Sequence, residues 1–327
     1  MACEISKELL PEAGRSPLLP DRHPVPDFFV CDVLGAVAKA DMASMEHPIF
    51  SLSTKPDTRI RRYEQGPLFV EVTPSVKGLA TVHDRDILIY CISQTIAALN
   101  EGRPVSRTVR LKALDLLVAT NRMINGQAYD GLKAALERLR GTTISTNVKT
   151  GGREELDVFG LIERARIVRE TRDGRMQEIE VVLSDWVFNA IEAREVLTLH
   201  RDYFRLRKPL ERRMYELARK HCGRQGEWSI GLERLRDKCG SGSSLKEFRR
   251  LVRVVCDQDA THGHMPDYAV SMEVSEDGSD KVTFRNRQTM APSVPHLPSL
   301  PTSALEEGRA AAPGWDIYVI EGEWRAW

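Results

Sequence analysis

Between Asp202 and Cys256 three short helical patterns follow one another, and the last of them has two unlike sides. Leu245, Phe248, Val252 and Val255 recur at helical spacing on one side, with Lys246, Arg249, Arg250 and Arg253 on the other. Ser244 followed three residues later by Glu247 is a capping-box start. The helix before it holds Leu232, Leu235 and Cys239, and Gly240 suits its C′ position. Pro209 fits the first turn of the leading helix, whose inner stripe is Leu210, Met214, Leu217 and Ala218. Helices this short bury their apolar faces only against neighbours, so the three must fold as a compact trio. A helix with an apolar back and an arginine front, third in such a trio, suits insertion into a DNA groove.

The same order of elements is legible earlier in the chain. Asp84–Asn100 is apolar nearly all round (Ile87, Leu88, Cys91, Ile92, Ile96, Leu99), which predicts a buried helix. A short strand at Thr108–Leu111 precedes a predicted helix at Lys112–Thr120. The turn Asn121–Gly126 leads into a third, Gln127–Leu139, with Ala128, Leu132, Ala135, Leu136 and Leu139 on one stripe. Thr142–Lys149 alternates and is β-branched, Gly151 and Gly152 form a turn, and Leu156–Arg169 reads as one returning strand. A second hairpin turn at Asp173-Gly174 leads into Glu178–Leu183. Ser184 caps a predicted helix at Asp185–Ile191. A further strand is expected at Leu68–Thr73. In the second trio the hairpin is Tyr268–Val274 with Lys281–Arg285. Helix, helix, helix, hairpin thus occurs twice, with little residue identity between the copies. Helices followed by β-hairpins describe a winged helix, so the expected fold is α+β, two tandem winged-helix domains.

Charge follows this division. Net charge is +0 over the whole chain, yet residues 101–153 carry +6 and residues 201–256 carry +9, separated and followed by blocks of −5 (154–200) and −7 (257–327). Two basic blocks that coincide with the two helical trios argue for two places that meet a polyanion. At 327 residues the chain favours more than one domain. The expected boundaries are a flexible, proline-bearing arm with a short docking segment at 1–43, domains at 44–200 and 201–290, a Pro-rich linker at 291–313, and a tail at 314–327. That tail contains Trp315, Trp324 and Trp327, and it is expected to dock on the body or on a partner. The six cysteines show no CxxC spacing and read as reduced core thiols. Glu4 and Glu8 interrupt the start and no apolar stretch follows, so a cytoplasmic protein is expected, without a membrane span.

The chemistry of binding selects the candidate residues. A recognition helix offers base edges and phosphates the side chains of its N-terminal turns. On the second such helix these are Lys246, Arg249, Arg250 and Arg253, with Ser243 and Ser244 at the helix start, where main-chain N–H groups favour a phosphate. Arginine suits the task because its planar fork bonds a guanine edge or a phosphate bidentately. On the first, less basic helix the candidates are Gln127, Tyr129 and Lys133. Arg122 in the turn and Lys149 and Arg153 on the wing are expected to touch phosphate.

Catalytic readings are weaker. The run from Gly240 to Lys246 lacks the spacing of a phosphate-binding loop and reads as a turn and cap. His262-Gly263-His264 near Tyr268 superficially fits a metal-dependent nicking enzyme, but glycine between the histidines suits a loop better than a strand. Asp84 and Asp86 at a helix start read as capping acids that meet the helix dipole. A winged-helix repressor without a role in replication satisfies the same pattern. No catalytic residue, metal or cofactor is expected.

Seven strings in order resemble the replication initiator protein A family: SMEHPIFSLSTKPD (44–57), TVHDRDILIYCIS (81–93), LLVATNR (116–122), YDGLKAALERLRGTTIST (129–146), LSDWVFNAI (183–191), YFRLRKPLERRMYELARKHCG (203–223) and GWDIYVIEGEWRAW (314–327). The resemblance implies two winged-helix domains that bind direct repeats of a double-stranded plasmid origin. It implies help with strand opening and recruitment of the host initiator and replicative helicase. It also implies a homodimeric form that represses its own gene.

Overall fold

The computed structural model describes residues 16–24, 31–32, 48–53, 55–65, 67–147, 157–169, 176–192, 197–223, 225–275 and 278–290, with positions 303, 304, 307 and 311. Met1–Asn286 forms one compact unit and Arg287–Trp327 a second. In the second, the helix Arg287–Met290 is described; the expected tryptophan-rich tail lies outside the described residues.

The fold is α+β. The first half of the large unit runs β1 (Cys31–Asp32), β2 (Arg61–Gln65), β3 (Leu68–Thr73), α1 (Arg85–Asn100), β4 (Thr108–Lys112), α2 (Ala113–Ala119), α3 (Gly126–Gly141), β5 (Thr143–Thr146), β6 (Asp157–Gly160), β7 (Ile162–Arg169), β8 (Met176–Leu183), α4 (Asp185–Glu192) and β9 (Leu197–Thr198). After a 3-10 turn at Arg201–Arg205, the second half runs α5 (Pro209–His221), β10 (Glu227–Gly231), α6 (Leu232–Cys239), α7 (Leu245–His262), β11 (Tyr268–Val274) and β12 (Asp280–Asn286). The two halves repeat one topology. In each, the strand between the first and second helices pairs with the second strand of the hairpin that follows the helices, and that strand pairs with the first strand of the same hairpin. The sheet orders are β4-β8-β7 and β10-β12-β11, all antiparallel. The first half adds a four-stranded sheet, β2-β3-β5-β6.

The single strand expected over Leu156–Arg169 is two strands in two sheets. Asp157–Gly160 pairs with β5, and Ile162–Arg169 pairs with β8. Leu161 and Ile162 are adjacent and both fully buried. Consecutive residues of one strand face opposite sides, so the chain must change sheets here.

Each half has its own apolar core. In the first, α1 is buried over most of its circumference, with Gln94 exposed, and its hydroxyls are satisfied locally: Ser93 donates to the Ile89 carbonyl at 2.7 Å and Thr95 to that of Cys91 at 2.8 Å. Cys91, Cys222, Cys239 and Cys256 are buried free thiols, and burial pushes the Cys91, Cys239 and Cys256 thiols up to about 12. Ile89 of α1 is buried in the core of the second half, beside Tyr203, Met214 and Tyr215 of the second helical set.

Charged side chains cross the same seam. Arg212 of α5 donates to Asp86 of α1 at 2.6 Å, and Arg85 of α1 pairs with Glu216 of α5. All four side chains are almost wholly buried. Arg122 adds a second cation to Asp86 at 3.1 Å, and Arg213 and the Tyr203 hydroxyl complete Glu216 at 3.2 and 2.7 Å. Arg212 also donates to the Leu206 and Phe204 carbonyls. Asp84 and Asp86 do more than cap. Asp84 accepts from the Thr81 N–H at 2.8 Å while the Thr81 hydroxyl accepts from the Asp84 N–H at 3.2 Å, a reciprocal box just before α1, and the same carboxylate holds Arg138 bidentately at 2.7 Å; Asp86 stands in the first turn of α1. Burial works to raise the Asp86 and Glu216 carboxyls. The charges of Arg212 and Arg122, and of Arg85 and Arg213, outweigh it and hold both below their ordinary values.

Residues 16–24, expected in a flexible arm, form a strap across both halves. Leu19 N–H donates to the Arg205 carbonyl at 2.9 Å, and Arg22 N–H donates to the Asn121 side chain at 2.8 Å. Asn121 sits at φ 54, a region asparagine tolerates, and its amide also donates to the Pro20 carbonyl at 3.0 Å.

Glu216→Gln is expected to destabilise the protein by about 3–5 kcal/mol in urea unfolding, because it removes the negative charge that Arg85 and Arg213 face in a dry seam. Since both folded carboxyls lie below their unfolded values, their contribution is full above the ordinary carboxylate range near pH 4 and falls as pH drops through the depressed values. The urea midpoint of the wild type should drop on acidification below that range, and that of Glu216→Gln should drop less. A wild-type midpoint flat down to pH 3 would refute this.

Candidate nucleic-acid interface

Helix α7 is built as a lever between the core and solvent. Phe248, Val252, Val255 and Cys256 are buried against the second core. Ser244 caps the start, accepting from Glu247 N–H at 3.3 Å, while the Glu247 carboxylate turns to Arg250 at 3.0 and 2.7 Å instead of closing a reciprocal box. Ser243, half-buried, donates its N–H to the Ser241 hydroxyl at 3.4 Å. Gly263 ends the helix in the left-handed region at φ 57. Asp259, buried, accepts from the N–H groups of Met265 at 2.8 Å and Val270 at 3.0 Å, so α7 carries the β11–β12 hairpin with it.

Lys246, Arg249, Arg250 and Arg253 are all exposed and lie at i, i+3, i+4 and i+7, one continuous cationic stripe. Their surroundings differ. Arg249 pairs with Asp280 at the start of β12, tying the stripe to the hairpin. Arg250 is held by Glu247 of its own helix. Lys246 and Arg253 have no hydrogen bond or ion pair among the described residues, so their charges face water.

The first half offers a more mixed face. Asn125 caps α3, accepting from Ala128 N–H at 2.9 Å. Gln127 and Lys133 are exposed on α3, whereas Tyr129 is half-buried against the first core. Met123 and Ile124 project into solvent from the turn before it. Arg122, expected to touch phosphate from that turn, points inward: its guanidinium donates to the His83 carbonyl at 2.6 Å and to Asp86. The sequence could not show this, since the acid lies more than thirty positions away. Burial, and then the Arg212 charge, push the adjacent His83 down to about 4.

Lys149 and Arg153 lie in the β5–β6 connection, outside the described residues. That connection belongs to the added sheet. The hairpin that matches β11–β12 in topology is β7–β8. Its exposed face carries Arg164 and Arg166, with Arg110 across the sheet on β4; Glu180 of β8 accepts from Arg110 at 3.1 Å and from Arg164 at 2.9 Å. The alternation of Arg164 and Arg166 with Ala165 and Ile167 is the signal that could have pointed to them.

The histidine pair is split by the helix end. His262 is exposed, whereas His264 is buried between Glu211 at 3.4 Å and Asp259 at 3.7 Å. Tyr268 is fully buried, and its hydroxyl donates to the Gly223 carbonyl at 2.9 Å. Among the described residues, no group of three His, Cys, Asp or Glu is placed to hold a metal ion, and no helix is long and apolar enough to cross a membrane.

The replication initiator protein A profile matches residues 39–270, which contain α7 and both helical sets. The chain belongs to the replication initiator protein A family. A relative in Wigglesworthia glossinidia brevipalpis, named "Putative replication protein", is 36% identical over 272 residues, covering 80% of this chain and 94% of the relative. Crystal structures of domains 2 and 3 of RctB share the fold: TM-scores are 0.56 and 0.52 at 15% and 16% identity, covering 78% of this chain and 100% and 98% of theirs. Six of the seven strings that resemble replication initiator protein A lie within the matched residues, the seventh (314–327) lies outside them, and membership places the chain among replication initiators.

Within this initiator, Asp259→Ala should cost about 2–4 kcal/mol, because two buried N–H groups lose their acceptor at once. Hydrogen exchange at Val270 should accelerate while α1 stays protected; equal acceleration in both would mean that the hairpin is not held by Asp259.

Proposed function

We propose that the two halves are winged helices and that this initiator binds repeated sites in duplex origin DNA, with α7 as the main recognition helix. The observation that carries this is the exposed cationic stripe Lys246, Arg249, Arg250 and Arg253 on a helix anchored by a buried face. In this reading the N-terminal turns of α7 enter the major groove, and the β11–β12 hairpin lies along the flanking backbone. Arg249 and Arg250 stand in ion pairs that hold their guanidiniums near the groove, and both exchange a carboxylate for DNA oxygens on binding. α3, with Gln127 and Lys133, meets a second stretch of the same duplex with fewer phosphate contacts. Bending between the two contacts supplies the distortion that favours strand opening. The protein works without a catalytic step, recruits the host initiator and replicative helicase, and as a homodimer represses its own gene.

The test is a fluorescence-anisotropy titration on DNA flanking the gene over a range of salt. The wild type should bind with an affinity that falls steeply with salt, and Arg249→Ala/Arg250→Ala should weaken origin binding more than Lys133→Ala. Lys246→Ala and Arg253→Ala should each lower the salt slope by about 0.9, the loss of one phosphate contact. A slope near zero for the wild type, or the reverse ranking of variants, would overturn the proposal.

A further inference from the structure

The stretch before β2 and the turn that leads into α7 come together at the seam between the halves. Gly240 takes the left-handed conformation at φ +64, and a Cβ placed there would lie 2.3 Å from Pro48 Cγ. Beside this contact opens a cleft of about 660 Å³, lined on one side by Arg59 and Arg62 and on the other by Arg234, Lys238, Ser241 and Gly242. Its acids, Glu64 and Asp237, already pair with Arg62 at 2.6 Å and Arg236 at 3.1 Å. The cleft is therefore cationic.

Two of its cations are set for an anion from outside. Arg59 is 72% exposed, yet its Nε and Nη2 grip the buried Asp57 at 2.9 and 3.0 Å, which fixes the plane of the guanidinium and leaves Nη1 free of any hydrogen bond among the described residues. Arg234 is exposed and has no ion pair or hydrogen bond among the described residues. A guanidinium held in place loses little freedom on binding. A Cβ on Gly242 would lie 3.5 Å from both Nη1 and Nη2 of Arg59, so the absence of a side chain there keeps this guanidinium uncovered.

We propose that this cleft grips the sugar-phosphate backbone of duplex DNA, with Arg59 and Arg234 meeting phosphates of the strand that borders the groove entered by α7. The proposal rests on the reading of α7 as a DNA-binding helix. What favours the backbone over a free phosphate is position: the cleft opens at Gly242, two residues before the Ser244 cap, at the end of α7 that enters the groove. A strand bordering that groove must pass there. The first half thereby holds the DNA that the second half reads.

The experiment compares full-length wild type, Arg59→Ala/Arg234→Ala, Gly242→Glu and Lys246→Ala/Arg253→Ala in salt titrations on origin and scrambled duplexes, with thermal melts confirming that each is folded. Gly242→Glu lays a carboxylate over Arg59 without disturbing Asp57. The double arginine variant should lower the salt slope by about 1.8, equivalent to two phosphates. It should leave the ratio of origin to scrambled affinity unchanged, because backbone contacts carry no sequence information. Gly242→Glu should weaken both duplexes alike. If both cleft variants match the wild type while Lys246→Ala/Arg253→Ala weakens binding, the cleft proposal falls and the α7 reading stands. If the wild type itself binds without salt dependence, both fall. A titration with inorganic phosphate or ATP separates the remaining source: saturable binding without DNA that disappears in the double arginine variant would assign the cleft to a free phosphate and overturn the backbone assignment.

Discussion

Two arginine–carboxylate pairs cross the seam between α1 and α5, and they fix how these two helices meet. Arg212 reaches Asp86 and Arg85 reaches Glu216, so each helix gives the other one cation and one anion. Buried pairs of this kind add little net stability, because desolvation offsets most of the Coulomb gain. Their effect is on geometry. Once buried, each charge has one acceptable partner position, and a slip of either helix leaves an unpaired charge in an apolar setting. With Ile89 inserted into the second core, this makes the first helices of the two halves a single spine. The spine sets α3 and α7 in a fixed relation.

Much of this was legible in the sequence where a local rule governs. The bounds of α5, α6 and α7 follow from Pro209, Gly240 and Ser244, residues whose preferences act within a turn of where they stand. The apolar circumference of α1 announced a buried helix because only burial tolerates it. What escaped depends on partners distant in sequence. Arg122 and Asp84 look like surface charges until the fold brings Asp86 and Arg138 beside them. β2 is too polar to announce itself and is a strand because β3 pairs with it. β10 is short and was missed for the same reason, its ladder lying wholly against β12. The candidate stripe on α7 was visible from spacing alone; the split of its arginines between Asp280 and Glu247 was not.

The repeated strand order explains how resemblance survives at very low identity. The halves share β4-β8-β7 and β10-β12-β11 while sharing few residues, and RctB domains 2 and 3 share the fold at 15% identity. A three-stranded antiparallel sheet behind three helices needs only an apolar face of the right period and turns of the right length. The added sheet β2-β3-β5-β6 is where the first half departs from this plan, and it is this addition that brings Arg61 and Tyr63 towards the turn before α7.

The strap at residues 16–24 has a consequence for biosynthesis. Its amide at Leu19 is satisfied by the carbonyl of Arg205, and Arg201 reaches back to Asp21. A ribosome makes the strap before either half, yet its acceptor at Arg205 emerges only after nearly two hundred further residues, so a segment translated early is among the last to find its seat. Until then the nascent first half must wait unclasped, and the finished clasp certifies that both halves have been made.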